Sequence, residues 1–487
     1  MRRTTSLTAL VLGATLLAPA TQATAAGETC RGEAATIVGT GPDVQGTEGR
    51  DVIVTGASHR VFAGAGNDVV CVTEDGAGIN IVIVDAGAGD DVVDGTAMRP
   101  HFYLTAILGD GADTFVGGAG DDRVVAGAAP GPYSVPPSEA ERDVIDTGDG
   151  TDSVTSGGPG LPNDDEIRTG NGDDYVTWSG TMGAKGVLDG GEGADRLRPR
   201  ASGQTFRIDL TAQTLVRDGV RAASFSSFEQ LFVAPEPDLG TVEILGTAGD
   251  DIVDILAPAT VRADLGEGND NLGLVGTKPG SRIDLGSGSD LIRARSSDGS
   301  VEVDLAKGSL VMAGSPAALA GVENAFVSAT QAKLIGDDHA NFLTAIGCVA
   351  TIDGRGGKDG ISHRNYDGDL DSGYDCSRGR ATLRGGSGND KIDGGKQADR
   401  IYGGPGRDRI ETGPAARGKN KAWGGPGNDK LYGGSSKDVL DGGAGNDRLK
   451  GSEQADVLRG GPGHDRGVGG PGRDTCRTEI RKSCEIR

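Results

Sequence analysis

From Gly385 onward, aspartates recur at a fixed offset behind glycines: GGSGNDKID, GGKQADRIY and GGPGRDRIE, then, after a break, GGPGNDKLY, GGSSKDVLD, GGAGNDRLK, GSEQADVLR, GGPGHDRGV and GGPGRDTCR. Glycine lets a backbone turn at positive φ and brings carbonyl oxygens toward a common point. The sixth position adds a carboxylate. Calcium, a hard cation, takes six to eight oxygens at about 2.3–2.6 Å, and turns of bare carbonyls closed by Asp supply that set. These residues therefore point to calcium binding. The ligands would be Asp390, Asp408, Asp429, Asp447 and Asp465 with the leading glycines Gly385, Gly403, Gly424, Gly442 and Gly460, and also Asp399, Asp438, Asp456 and Asp474.

The period sets the elements that hold them. The last three residues of each unit form a short strand whose middle residue points inward: Ile392, Ile401, Ile410, Leu431, Leu440, Leu449 and Leu458. Lys430, Arg448 and Lys450 point out. One unit is a turn plus a strand, so two units close a lap of a flattened coil. Units starting at Gly385, Gly403, Gly424, Gly442 and Gly460 keep Gly at the fourth position. The alternate units KQAD, SSKD and EQAD have lost it, and PGRD at 471 restores it. Two unequal calcium rows are predicted, with one ion between each neighbouring pair of the stronger row. The inserted TGPAARGKNKAW bulges from the weaker edge and leaves the stronger row in phase.

The pattern resembles the RTX, or hemolysin-type, calcium-binding β-roll, with its GGxGxDxUx signature. The likeness is strong from about Gly385 to Thr475 and loose before it. It implies ions held by Asp carboxylates and turn carbonyls of adjacent laps. Gln397, Ser436 and Gln454 stand where that family has Gly, which lowers the expected occupancy of their edge.

With 86 Gly among 487 residues, 4% aromatics and no helical periodicity, the chain reads as all-β, a parallel β-roll or β-solenoid of glycine-rich turns and short strands. Upstream the phrase persists in eroded form, as in EGRDVIV at 48, GAGNDVVCV at 64, GAGDDVVDG at 87, GGAGDDRVV at 117, GDGTDSVTS at 148 and GGEGADRLR at 190. Asp68, Asp91, Asp122, Asp174, Asp270 and Asp290 are further candidate ligands there. Spacing near twenty suggests one motif turn per lap. Asp264, Asp284 and Asp304, twenty apart, suggest strands stacked in register. RIDL at 207 with VEVDL at 301, and FEQ at 228 with VEN at 322, mark a duplicated spacer module poor in calcium sites.

The organisation expected is a signal peptide over 1–26, a degenerate repeat solenoid over 27–200, duplicated spacers over 201–345, a disulfide-closed acidic loop over 346–384, the nonapeptide roll over 385–475 and a cap over 476–487. Arg2 and Arg3, the apolar run from Leu7 to Ala18 and Ala23-Thr24-Ala25 read as an export signal, by the general or the twin-arginine route. That signal resembles the secreted branch of such proteins in actinobacteria-like, Gram-positive organisms. No segment of the mature chain reads as membrane-spanning. Six cysteines in an exported chain read as disulfides, by proximity Cys30–Cys71, Cys348–Cys376 and Cys476–Cys484. Asp367, Asp369, Asp371 and Asp375 alternate as in the first part of an EF-hand loop, without its Gly and Glu.

The net charge of −23 is uneven: from Arg380 onward 21 Lys and Arg face 15 Asp and Glu, a net +6, leaving −29 before it. Basic outward positions suit an anionic cell-wall polymer or polysaccharide, while sparse aromatics argue against nucleic acid. GxSxG, HExxH and CxxC are absent and the five His are scattered, so an enzyme is not expected. Trp178 and Trp423 are the residues with a face to offer a sugar. The expected function is calcium binding by an exported, calcium-folded scaffold of an extracellular or cell-surface, structural or adhesive kind; the alternative is a carbohydrate-active or polysaccharide-binding β-helix with the roll as a folding appendage. The sequence leaves the oligomeric state open.

Overall fold

The computed structural model describes residues 27–73, 80–126, 141–158, 161–180, 185–296, 299–364, 379–396, 398–414 and 419–484. The export signal, Cys376, Gln397 and the EF-hand-like aspartates lie outside them.

Short strands of two to seven residues alternate between two long sheets. Sheet I runs from Ile37–Val38 to Thr475–Arg477 and sheet II from Asp43–Gln45 to Ile480–Lys482. Each strand pairs in parallel with those one lap away. Thus Ile392 stands opposite Ile410, then Leu431, then Leu449. The period of two sends the middle residue of each strand inward. Ile392, Ile401, Ile410, Leu431, Leu440, Leu449 and Leu458 are all buried, in a single core that continues from Ile37 to Cys476. The fold is a parallel β-solenoid.

The sheets are not parallel throughout. In the first spacer, sheet I receives an antiparallel meander: Thr205–Asp209, Thr214–Arg217 and Val220–Ser226. Its last strand joins Gly186–Asp189 and its first joins Thr241–Leu245. The second spacer repeats this with Ser300–Asp304, Ser309–Met312 and Ser315–Ala320. Asp284 therefore pairs with Ala320 and not with Asp304, because the meander turns its first strand away. Only Asp264 and Asp284 stack as their spacing suggested. The segment expected as an acidic loop carries three strands, Val349–Asp353, Gly360–Arg364 and Arg380–Arg384, that continue both sheets.

The pairs Cys30–Cys71 and Cys476–Cys484 are both present. Cys348 is also disulfide-bonded. The first bridge holds a hairpin, Thr29–Cys30 with Glu33–Ala34, against the outer face of sheet I, where Cys30, Val52, Val54 and Val69 make a small separate core. Among the described residues no helix is long and apolar enough to cross a membrane.

Candidate metal sites

The motif aspartates sit where a turn enters a strand, and each is tied to its counterpart one lap away. The backbone N–H of Asp390 donates to Oδ1 of Asp408, Asp408 to Asp429, Asp429 to Asp447 and Asp447 to Asp465, at 2.8–2.9 Å. Asp465 donates in turn to Oε2 of Glu479, which closes the row. Each Asp thus spends one oxygen on the fold. The other, Oδ2, is buried without a hydrogen-bond partner in Asp390, Asp408, Asp429, Asp447 and Asp465.

The leading glycines explain themselves here. Gly385, Gly403, Gly424, Gly442 and Gly460 lack positive φ, which belongs to their followers such as Gly386, Gly404 and Gly406. They are Gly because a Cβ would strike Oδ2 of their own Asp, and in the first four also the carbonyl of the next leading glycine. Those carbonyls, from Gly403, Gly424 and Gly460, lie 2.6, 2.5 and 2.7 Å from the Cβ positions of Gly385, Gly403 and Gly442. The space left by each missing side chain is bordered by a carboxylate oxygen and a carbonyl oxygen. Among the described residues no three acidic, His or Cys side chains converge, so a cation here draws most of its oxygens from the backbone. The carbonyls of Gly403, Gly424 and Gly460 each accept one backbone N–H, which leaves a second lone pair, and an orphaned, buried carboxylate beside such a carbonyl is a donor set that suits calcium.

The electrostatics agree. Burial raises the carboxyls of Asp390 and Asp465 and pushes Asp408 to about 7 and Asp429 and Asp447 to about 6, with neighbouring row aspartates adding to the last three. Without a cation these groups give up their protons at higher pH than an ordinary carboxyl does.

The second row, on the turns entering sheet I, is unequal in a specific way. Asp456 N–H meets Oδ1 of Asp474 and Asp438 N–H meets that of Asp456, but Asp399 meets the neutral Asn420. Ser436, in the place of a Gly, donates to Oδ1 of Asp438, and Gly434 N–H donates to its Oδ2. Asp438 is thus satisfied within its own turn. Asp399 accepts from Ala381 N–H and faces the buried His363, 3.9 Å away. Gln454 holds φ 67 where Gly is usual.

The upstream candidates fall into both rows. Asp122, Asp174, Asp270 and Asp290 lie on the sheet II edge, in one line with Asp390. Asp152, Asp195 and Asp251, which lie in eroded phrases of the repeat but were not named as ligands, are in that line too, and Asp359 is a member that sequence reasoning missed. Glu229 and Glu323, equivalent positions of the duplication, take the Asp place, accepting from Asp195 and Asp290 N–H. Asp68 and Asp91 belong to the sheet I edge with Asp51, Asp113, Asp143 and Asp165. The acidic pair Asp164-Asp165 thus places its second residue in this line. Desolvation raises Asp68 to about 6 and both Asp91 and Asp122 to about 8, as well as Asp152 and Asp359 to about 7. In the pairs Asp90-Asp91, Asp173-Asp174 and Asp250-Asp251 the first residue stays exposed and caps a neighbouring turn, accepting from the N–H of Ala112, Ala194 and Asn269 respectively.

Six stretches, residues 43–71, 82–97, 105–129, 377–410, 416–449 and 441–476, match the family model of the RTX calcium-binding nonapeptide repeat (4 copies). The chain carries RTX-type calcium-binding nonapeptide repeats. Three of the RTX stretches lie in the first third of the chain, where the sequence alone left only eroded phrases, and they contain Asp51, Asp68, Asp91, Asp113 and Asp122. No curated protein matches the chain.

Trp178 does not offer a sugar-binding face, because it is buried in the core. Trp423 stacks on Tyr402 with ring centroids 4.7 Å apart, and Arg384 lies over the other side of that pair.

Proposed function

We propose that this protein is an extracellular scaffold that folds on calcium after export and holds an anionic polymer on the outer face of its roll. The observation that carries the calcium part is the line of five buried, half-satisfied carboxylates, Asp390 to Asp465, the first four beside a glycine carbonyl of the next lap. The two disulfides suit an oxidising setting. Calcium at extracellular levels relieves the buried row, whereas cytosolic levels leave it charged and repelling.

The polymer part rests on one outward ladder of sheet II. Lys391, Arg409, Lys430, Arg448 and Arg466 stand in register on successive strands, about 19 Å end to end at the usual strand spacing. Arg409 pairs with Glu411 and lies over Tyr432. Cations this close repel within a Debye length of about 8 Å, and a linear polyanion relieves that repulsion. The motif carboxylates are buried in rows and used for structure, so we read the chain as a non-enzymatic scaffold.

Calcium titration of residues 27–487 from chelator, followed by circular dichroism and calorimetry, tests the first part. A cooperative gain of β structure supports it; full folding in chelator with no heat of binding sinks it. Sedimentation with a teichoic-acid-type polymer tests the second, and a Lys430→Glu/Arg448→Glu variant should lose it.

A further inference from the structure

Both meanders are added to sheet I, and opposite them sheet II carries a hollow of about 430 Å³ on its outer face. That is within the size range of small-ligand sites. One outward ladder crosses it: Phe232, Asp254, Gly273, Arg293 and Phe326, each in register with the next. Five rungs at the usual strand spacing span about 19 Å, with a phenyl ring at either end.

Gly273 makes the hollow. A Cβ there would strike Oδ1 of Asp254, which leans across the gap. From the other side Arg293 donates through Nη2 to Oδ2 of Asp254 at 2.9 Å. Two residues on strands that do not adjoin thus meet where a side chain is missing. The guanidinium is not used up, since the Arg293 side chain keeps 35% of its surface exposed. Arg295, on the same strand and also lining the hollow, is exposed. The hollow therefore holds two guanidinium groups against one carboxylate, in a stretch of chain that is otherwise strongly acidic.

We propose that this hollow binds an acidic saccharide, a short uronic-acid chain lying along the solenoid axis. Pyranose faces rest on Phe232 and Phe326, Asp254 accepts from ring hydroxyls, and Arg293 with Arg295 receives the carboxylate. Flat apolar rings suit the C–H face of a sugar, and planar forked groups suit vicinal hydroxyls and carboxylates. A peptide strand is a poor fit, because these strands already pair on both sides and offer no free sheet edge. The site is separate from the calcium rows and from the basic ladder of the roll.

The test is calorimetry of calcium-loaded protein with tetragalacturonate, with neutral cellotetraose as the comparison. We expect one site per chain for the acidic sugar and affinity weaker by about tenfold or more for the neutral one. Arg293→Ala and Gly273→Ser should each cost about tenfold, while Lys430→Glu/Arg448→Glu keeps binding. Should Gly273→Ser misfold, Phe326→Ala replaces it; the calcium titration reports folding independently for every variant. No binding, equal binding of the two sugars, or binding that is lost with the ladder variant but kept by Arg293→Ala overturns the proposal.

Discussion

A single aspartate illustrates how the sites are built and how they differ. Asp408 gives Oδ1 to the amide of Asp390 and keeps Oδ2 free in a buried space, whereas Asp438 has both oxygens occupied by its own turn. Replacing Asp408 with Asn should raise the calcium midpoint of folding on the order of tenfold, about 1.4 kcal/mol, and Asp438→Asn should change it little. Ser436→Gly should release Asp438 and add bound calcium, which calorimetric stoichiometry would register; an unchanged stoichiometry would contradict the role given to that hydroxyl. The pH dependence follows from the raised carboxyls. Because folding raises these groups above the ordinary value, the ion-free fold is most favoured at acid pH, where they are protonated in both states. That advantage is lost as pH rises through about 6 to 8, the range of Asp68, Asp91, Asp122 and Asp408. In chelator, β structure should therefore be greater at pH 5 than at pH 8, while calcium should bind more tightly at pH 8. Equal folding at both pH values in chelator would count against buried, protonated rows. The identity of these ligands was legible because type and period coincide in the sequence. Asn420, Glu229 and Glu323 were not, since a row position filled by another oxygen donor leaves no GxD phrase to find.

At the scale of the strand and turn, the two glycines of each unit do different work. Gly404, at φ 108, needs a conformation other residues avoid and also faces the Gly386 carbonyl, 2.0 Å from where a Cβ would stand, but Gly403 needs only the absence of a Cβ. Gly403→Ala should abolish calcium-driven folding around it despite its ordinary backbone, and Gly404→Ala should do the same through that clash, with strain of about 1–2 kcal/mol added. Limited proteolysis in calcium would separate a local from a global loss. The inward pattern of Ile and Leu was readable from the nonapeptide, because the middle of a three-residue strand has only one face to choose. The meanders were not read, because alternation is the same in parallel and antiparallel strands. A signal was present: LVRDGVRA sets Asp-Gly between alternating residues, and Asp218 and Gly219 do take φ 48 and φ 81. Such a dipeptide marks a tight hairpin. Ala313 and Gly314 repeat the turn at φ 47 and φ 83 in the second spacer with a weaker sequence signal.

For the whole molecule, the meanders give sheet I 25 strands against 21 in sheet II among the described residues. Four additional strands at the usual spacing would make sheet I longer by about 19 Å, a difference that a bend with sheet II on the inner side would absorb. Trp178, Phe206, Ile208 and Leu215, among the largest fully buried side chains, fill the wedge beneath the first meander. Excising residues 212–226 and 307–320 should straighten the solenoid, so small-angle scattering should find a maximum dimension that is larger although the chain is shorter. A shorter or equal dimension would remove the case for a bend.

The amide-to-carboxylate bonds between row aspartates all point the same way. Along the stronger row of the roll each motif aspartate donates its N–H to the lap that follows it, and the series stops at Glu479 beside the Cys476–Cys484 bridge. Every lap of that row takes its acceptor from the C-terminal side, like a zipper with its stop at one end. In the export proposed above, a chain threaded N-terminus first would bring that stop out last, with the row short of its final acceptor until then.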